Sequence, residues 1–310
     1  MLTRAAGVLD RSERGKLALT GSGAKEFLQG QVSNDVSSLC PGAGCYAAML
    51  TPKGKMLGDM RILDTGEELL LDCERIALQP IFNRIRATAV GFDVELHKRT
   101  LQRALISVIG PLARAITGFA SLADAEHANV ASSLAGVPTI AVATDVGVDL
   151  IVESGAPADA VLATLLERGG RPVTEEAAEL LRIERGRPRY GIDLDDSVIP
   201  QEAGLNARAV SFTKGCYVGQ ETVARMHYKG KPNRHLRGLR LTRPAERGAE
   251  LTLAEDGRAV GSLASAAVHP SLGPIGLALV RREAAQPGTD VLVGATDPAS
   301  VVVLPFSATN

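Results

Sequence analysis

The stretch Lys16-Leu17-Ala18-Leu19-Thr20-Gly21-Ser22-Gly23-Ala24-Lys25-Glu26-Phe27-Leu28-Gln29-Gly30 reads as a strand, a glycine turn and a helix. The device recurs as Ala104–Ile109, then Gly110-Pro111, then Leu112–Ile116. Pro111 falls in a first helical turn, where its missing N–H costs nothing. A second pair lies between them. Leu69–Asp72 leads into a helix-like Ile76–Ala87, and Asp149–Glu153 into Ala158–Gly169. Ile81 with Ile85, and Val161 with Leu165, supply the apolar spacing of a helix face. An offset of about 80 residues, repeated twice, points to two related α/β lobes from a duplication. The competing reading is that strand–turn–helix units recur in most α/β proteins.

Outward from this core, Glu175–Arg185 has helical periodicity and stops at Gly186 and Pro188. Residues 186–214 form a long, turn-rich stretch of specific composition, which favours an ordered functional loop. Ala209–Phe212 reads as a short extended piece, and Gly219–Arg225 as the start of a helix. Beyond Lys229-Gly230-Lys231-Pro232-Asn233 come short strand-like pieces at Leu236–Leu241, Ala259–Ala264, Ile275–Val280 and Asp290–Val293. They predict a small barrel or sandwich. The expected division is 1–230, two interleaved α/β lobes, and 231–310, a β domain.

Composition narrows the function classes. Of 310 residues 45% are hydrophobic and 22% charged, an ordinary globular balance. Aromatics are 3% with no Trp, so stacking platforms for bases are nearly absent. A net charge of -1 argues against a generic polyanion binder, so no stable nucleic-acid binding is expected. No apolar run reaches the ~18 residues of a membrane span, and Asp10 and Glu13 count against a transit peptide. The four cysteines, Cys40, Cys45, Cys73 and Cys216, are too few for a disulfide framework, so a reducing cytosol is expected. Cys40 and Cys45 have no partner pair at a recognised ligand spacing, and no resident metal is expected.

Three segments carry chemistry. Cys216 sits in Lys214-Gly215-Cys216-Tyr217-Val218-Gly219-Gln220-Glu221, before a helix start and two residues from Lys214. Both a helix N-terminus and an ammonium favour a thiolate; the alternative is an inert turn cysteine. Glu184, in Arg182-Ile183-Glu184-Arg185-Gly186, has a carboxylate able to accept two parallel N–H groups, or to pair with Arg182 or Arg185. His227, Lys229, Lys231, Arg234, His235, Arg237 and Arg240 form a basic run, either a patch for an anion or a solvated linker.

The segment Lys214–Glu221, with Arg225 beyond it, resembles the signature of the YgfZ family, folate-binding proteins related to the T-protein (aminomethyltransferase) of the glycine cleavage system. The likeness extends over Phe27–Val36, Arg182–Asp193 and Ile199–Leu205. It implies an α+β architecture of three domains in a ring, two α/β lobes and a C-terminal small β-barrel, with tetrahydrofolate in the central hole. It also implies a role in assembling or maintaining iron–sulfur client proteins, including tRNA-modifying enzymes, through a reactive Cys216 supported by Lys214. By position, Glu184 resembles the glutamate that holds the pterin, and Asn34 and Asp35 resemble residues near the folate pocket. Tyr190, Gln220 and Arg225 join the expected cofactor-binding set. One departure stands out. T-proteins carry a catalytic aspartate in an Asp-Asp pair where this chain has Leu57-Gly58-Asp59-Met60, so one carboxylate survives. Folate-dependent aminomethyl transfer or demethylation is the alternative activity.

Overall fold

The computed structural model describes residues 5–294 and 296–307. The chain forms two compact units. The first takes Met1–Thr51, Leu57–Glu175 and Arg208–Val218; the second takes Pro52–Met56, Glu176–Ala207 and Gly219–Asn310.

The first unit opens with β1 (Gly7–Asp10), β2 (Gly15–Thr20), α1 (Ala24–Gln29), β3 (Gly44–Leu50), β4 (Met56–Asp64), β5 (Leu69–Cys73), α2 (Arg75–Thr88) and β6 (Glu95–Lys98). It continues with β7 (Arg103–Ile109), α3 (Ala113–Thr117), β8 (Asn129–Leu134), β9 (Val137–Thr144), β10 (Gly147–Glu153), α4 (Ala156–Glu167) and β11 (Arg171–Pro172). One sheet runs β3-β4-β5-β2-β6, the other β11-β1-β7-β10-β9-β8. The orders β3-β4-β5-β2 and β8-β9-β10-β7 match, and helices follow the equivalent strands. The lobes interleave because β1, first in the chain, pairs with β7 of the second sheet.

Apolar runs build these sheets because the strands are covered on both faces. All five residues of β5 are buried. Ala18, Leu63 and Leu70 of the first sheet pack in one cluster with Leu105, Val142 and Ile151 of the second. On the opposite face of the first sheet lies α2, which buries Ala77, Ile81 and Ile85. A Cβ at Gly58 would stand 2.8 Å from the Ala77 Cβ and 3.0 Å from Ile81 Cδ1, so position 58 faces α2. Residues alternate along a strand. Asp59, Arg61 and Leu63 therefore share the face toward the second sheet.

A charge network crosses that face. Arg61 donates to Asp72 at 2.7 Å and to Asp149 at 2.6 Å, and Ser107 donates to Asp149 at 2.6 Å. Arg14 adds two bonds to Asp72. Burial raises the Asp72 carboxyl, but Arg14 and Arg61 outweigh it and hold it well below the usual carboxylate range.

The second unit contains α5 (Glu175–Glu184), α6 (Asn206–Ala209), α7 (Gln220–Tyr228) and strands β12 (Arg234–Leu241), β13 (Glu250–Leu253), β14 (Ala259–His269), β15 (Gly273–Arg281), β16 (Asp290–Val293) and β17 (Asp297–Val302). Glu175 of α5 and the last two residues of α6, Arg208 and Ala209, group with the first unit. The strands close into a barrel in the order β12-β15-β14-β13-β16-β17. Leu239, Leu251, Val260, Ala278, Val280 and Val301 fill its interior. Closure leaves no edge strand to aggregate. The expected extended piece at Ala209–Phe212 is corrected: Asn206–Ala209 is helical, and Ser211 leaves it to donate to Ser33 O at 3.0 Å. The barrel strands begin at Arg234, and segments 176–207 and 219–233 group with the barrel.

Candidate functional site

In the first unit the chemistry gathers around Asp59 on β4. Its carboxyl is 4% exposed, and Oδ2 has no hydrogen-bond partner among the described residues. The Tyr46 hydroxyl, on β3, donates to it. Burial pushes the Asp59 pKa up to about 6; the Tyr46 bond and the Arg14 charge oppose the rise, and Glu74 adds to it. The Tyr46 hydroxyl is itself raised, by burial and by the neighbouring Asp59 charge. Arg208 lies over the Tyr46 ring with its guanidinium carbon 5.0 Å from the centroid, and Glu126 anchors one end of it. Arg208 Nε is buried without a partner among the described residues. The His127 ring stacks with that of Tyr46, centroids 6.2 Å apart. A buried acceptor and a buried donor, both unsatisfied around one tyrosine, are unfavourable unless water or a polar ligand meets them.

The expected residues of this unit take different positions. Asn34 donates from Nδ2 to Tyr46 O at 2.8 Å and to Arg208 O at 3.1 Å, so it braces the two residues that flank Asp59. Asp35 accepts from Gln29 at 2.9 Å. Burial raises its pKa, but hydrogen bonds from Ser38 and Gln29 together outweigh it and bring it below the usual value, so it serves its own turn. Lys214 donates to Gln29 O, Val32 O and Asn34 O at 2.6, 2.7 and 2.9 Å. Burial pushes its ammonium down to about 8, against the pull of Asp35 and Cys45. The three Lys214 N–H donors are directed to these carbonyl oxygens. Cys216 is exposed, as is Cys40. Burial pushes Cys45 up to about 12 and raises Cys73 further, which leaves both as inert thiols.

In the second unit, Arg182 does not pair with Glu184. Its guanidinium binds Glu179 at 2.7 Å, Asp193 at 2.6 Å and Ser265 at 2.9 Å. That network fastens the turn 187–193 to α5. Glu184 is left partly exposed, with His269 Nε2 3.6 Å from its carboxylate. Tyr190 is buried in the turn, its hydroxyl 3.5 Å from Met56 O. Gln220 opens α7, and Arg225 is exposed on the same helix. The basic run divides in two. Arg234 binds Glu202, Arg237 binds Ala285 O and Arg240 binds Ser307 O, while His227, Lys229 and Lys231 are exposed. Among the described residues no group of His, Cys, Asp or Glu is arranged to hold a metal ion.

In the sequence Asp59 is marked only as a surviving carboxylate, and neither Tyr46 nor Arg208 lies in a motif that ties it to Asp59. Tyr46 is one of four tyrosines in an aromatic-poor chain, a signal that was present but not tied to Asp59.

Two α/β sheets of matching order followed by a closed barrel define an aminomethyltransferase-type fold. Residues 1–214 match the family described as GCVT N-terminal domain, and residues 234–307 that described as glycine cleavage T-protein C-terminal barrel domain. The chain belongs to this glycine cleavage T-protein family. It is similar to a chloroplastic transferase-like protein of Arabidopsis thaliana, 32% identical over 97% of this chain and 71% of that one. It is also similar to the aminomethyltransferase of Streptomyces coelicolor, 30% identical over 97% of this chain and 86% of that one. The crystal structure of aminomethyltransferase T from Bartonella henselae superposes with a TM-score of 0.88 at 25% identity, covering 99% of this chain and 87% of that one. No helix among the described residues is long and apolar enough to cross a membrane.

Proposed function

We propose that this chain binds a reduced folate, tetrahydrofolate or a one-carbon derivative, and acts in one-carbon transfer of the aminomethyltransferase type, with Asp59 as its proton-handling carboxyl. The observation that carries this reading is the buried Asp59 Oδ2, unpartnered beside Tyr46 and the equally unpartnered Arg208 Nε. A folate supplies nitrogen atoms that carry and release a one-carbon unit. Asp59, poised near pH 6 by burial, can hold or accept a proton at Oδ2 close to neutral pH. Tyr46 fixes the other side of the carboxyl, Asn34 braces Tyr46 and Arg208, and Arg208 offers a donor to a polar ligand. In the second unit, Glu184 is proposed for the pterin N–H edge on the family likeness and its partial exposure. Tyr190, Gln220 and Arg225 remain proposed cofactor contacts, and Lys229 and Lys231 suit a glutamate tail.

A second reading rests on the exposed thiol of Cys216 in the YgfZ-like segment Lys214–Glu221. In it, folate binding serves iron–sulfur client proteins or assembly factors, and Cys216 does the work without turnover. A reducing cytosol suits its two exposed thiols.

The test supplies purified protein with tetrahydrofolate and an aminomethylated lipoyl carrier. Release of methylene-tetrahydrofolate and ammonia is expected, with Asp59→Asn retaining folate but losing roughly 10²–10⁴ of the rate. Folate binding without turnover removes the transferase. Restoration of iron–sulfur enzymes in deficient cells, lost in Cys216→Ala, would then establish the second reading. Absence of folate binding overturns both.

A further inference from the structure

The Lys214 ammonium has three N–H donors, and each meets a main-chain carbonyl of one short loop: Gln29 O at 2.6 Å, Val32 O at 2.7 Å and Asn34 O at 2.9 Å. Convergent carbonyl oxygens of this kind replace the hydration shell of a small cation. The charge sits at the end of a tether whose backbone belongs to the segment that carries Cys216. Weaker ties run parallel to it. Val218 N donates to Gly30 O at 3.2 Å, Ser211 N to Ser33 O at 3.0 Å, and Ser33 Oγ to Ala209 O at 2.5 Å. The loop on the far side ends in Asn34, whose amide reaches Tyr46 O and Arg208 O. Through this loop the Lys214 cluster and the parallel ties join the thiol-bearing segment to the residues flanking Asp59.

We propose that Lys214 is a positioning residue, its charge seated among the three carbonyls to lock segment 211–218, with Cys216, onto the loop that carries Asn34. The exposure of the thiol and the placement of Tyr46 and Arg208 are then set together. Two other roles for the same side chain are distinguishable. If Lys214 acted on Cys216 as a nearby charge, Lys214→Arg would preserve its effect. If it acted by packing its stem over the Tyr217 ring, 4.9 Å from Nζ, Lys214→Met would preserve it. A latch needs a compact point charge that the planar fork of arginine does not reproduce. The inference requires no folate and is independent of the reaction assigned to Asp59.

The experiment measures amide hydrogen exchange, peptide by peptide, and alkylation of Cys216 by iodoacetamide, read by mass spectrometry on the full chain. In Lys214→Met and Lys214→Arg, exchange over 29–36 and 211–218 is expected to rise together by roughly tenfold, the scale of one lost charge-assisted contact. Exchange over 56–64 stays as in the unsubstituted chain, and Cys216 alkylation accelerates. In Lys214→Ala, added methylammonium restores protection of both segments, whereas tetramethylammonium, which has no N–H, does not. Unchanged exchange in Lys214→Met, retention of protection in Lys214→Arg, or failure of methylammonium to rescue overturns the proposal. If Lys214→Met does not fold, Lys214→Ala purified with each amine decides. Folded protein with methylammonium alone supports the latch, and the same yield with both amines or neither overturns it.

Discussion

At Asp59 a carboxyl is buried and one of its oxygens has no partner among the described residues, an arrangement that costs folding energy. Its folded pKa of about 6 lies above that of an unfolded aspartate. The fold thus prefers the protonated form. That preference contributes fully below the unfolded pKa and is lost as pH rises through about 6. The preference for the protonated form is worth roughly 3 kcal/mol. Asp59→Asn, which stays neutral at every pH, is therefore expected to melt several degrees higher than the natural chain at pH 7.5. The difference should shrink toward nothing near pH 4. Thermal melts across that range check it, and a variant that is less stable at both ends would contradict the raised pKa. Combined with the loss of rate expected above, stabilisation by this change would mark Asp59 as a residue kept for chemistry at a cost to folding.

At the scale of elements, β4 explains which carboxylate remains. Position 58 points into α2 and position 59 toward Tyr46, so the surviving acid is the one aimed away from the helix. Gly58→Ala places a methyl against Ala77 and Ile81, and a cost of about 1–3 kcal/mol is expected, read as a lower midpoint in urea. Between the sheets, Arg61→Met strands the buried carboxylates of Asp72 and Asp149, and about 3–5 kcal/mol of destabilisation is expected by the same measurement. A midpoint within error of the natural chain would show that Arg14 alone neutralises the network. These elements also show what could be read beforehand. Leu69–Asp72 and Asp149–Glu153 announce buried strands because both faces need apolar residues, and the helices after them announce themselves by spacing. Asp72 and Asp149 carry no such mark, since what makes them tolerable is an arginine brought from another strand. Strand β1 is similarly silent, because its partner β7 is distant in the chain. The thiol segment was legible as a motif, but the destination of the Lys214 ammonium depends on a loop about 180 residues away, and local spacing cannot encode that.

For the whole molecule, the consequence lies in where the chain can be cut. The barrel strands begin at Arg234, yet the compact unit that holds them also includes residues 176–207. Ile183 of α5 is 2% exposed in a cluster with Leu236, Ile275, Leu277, Val302 and Phe306. Polar ties follow the same route. Phe306 N donates to Glu184 O and Leu236 N to Glu202 O, both at 2.8 Å, and Arg182 binds Ser265 on β14. A fragment of 231–310 would expose that cluster and leave barrel groups without these partners, in a piece small enough that its core is marginal. It is expected to unfold without cooperativity and to bind a hydrophobic dye. A fragment of 176–310 keeps Ile183, Glu184 and Glu202 and should show a single sharp transition. Calorimetry of the two fragments side by side decides the matter. Equal midpoints would mean that the closed barrel stands by itself, and that α5 and the 187–205 turns are carried by it without contributing to it.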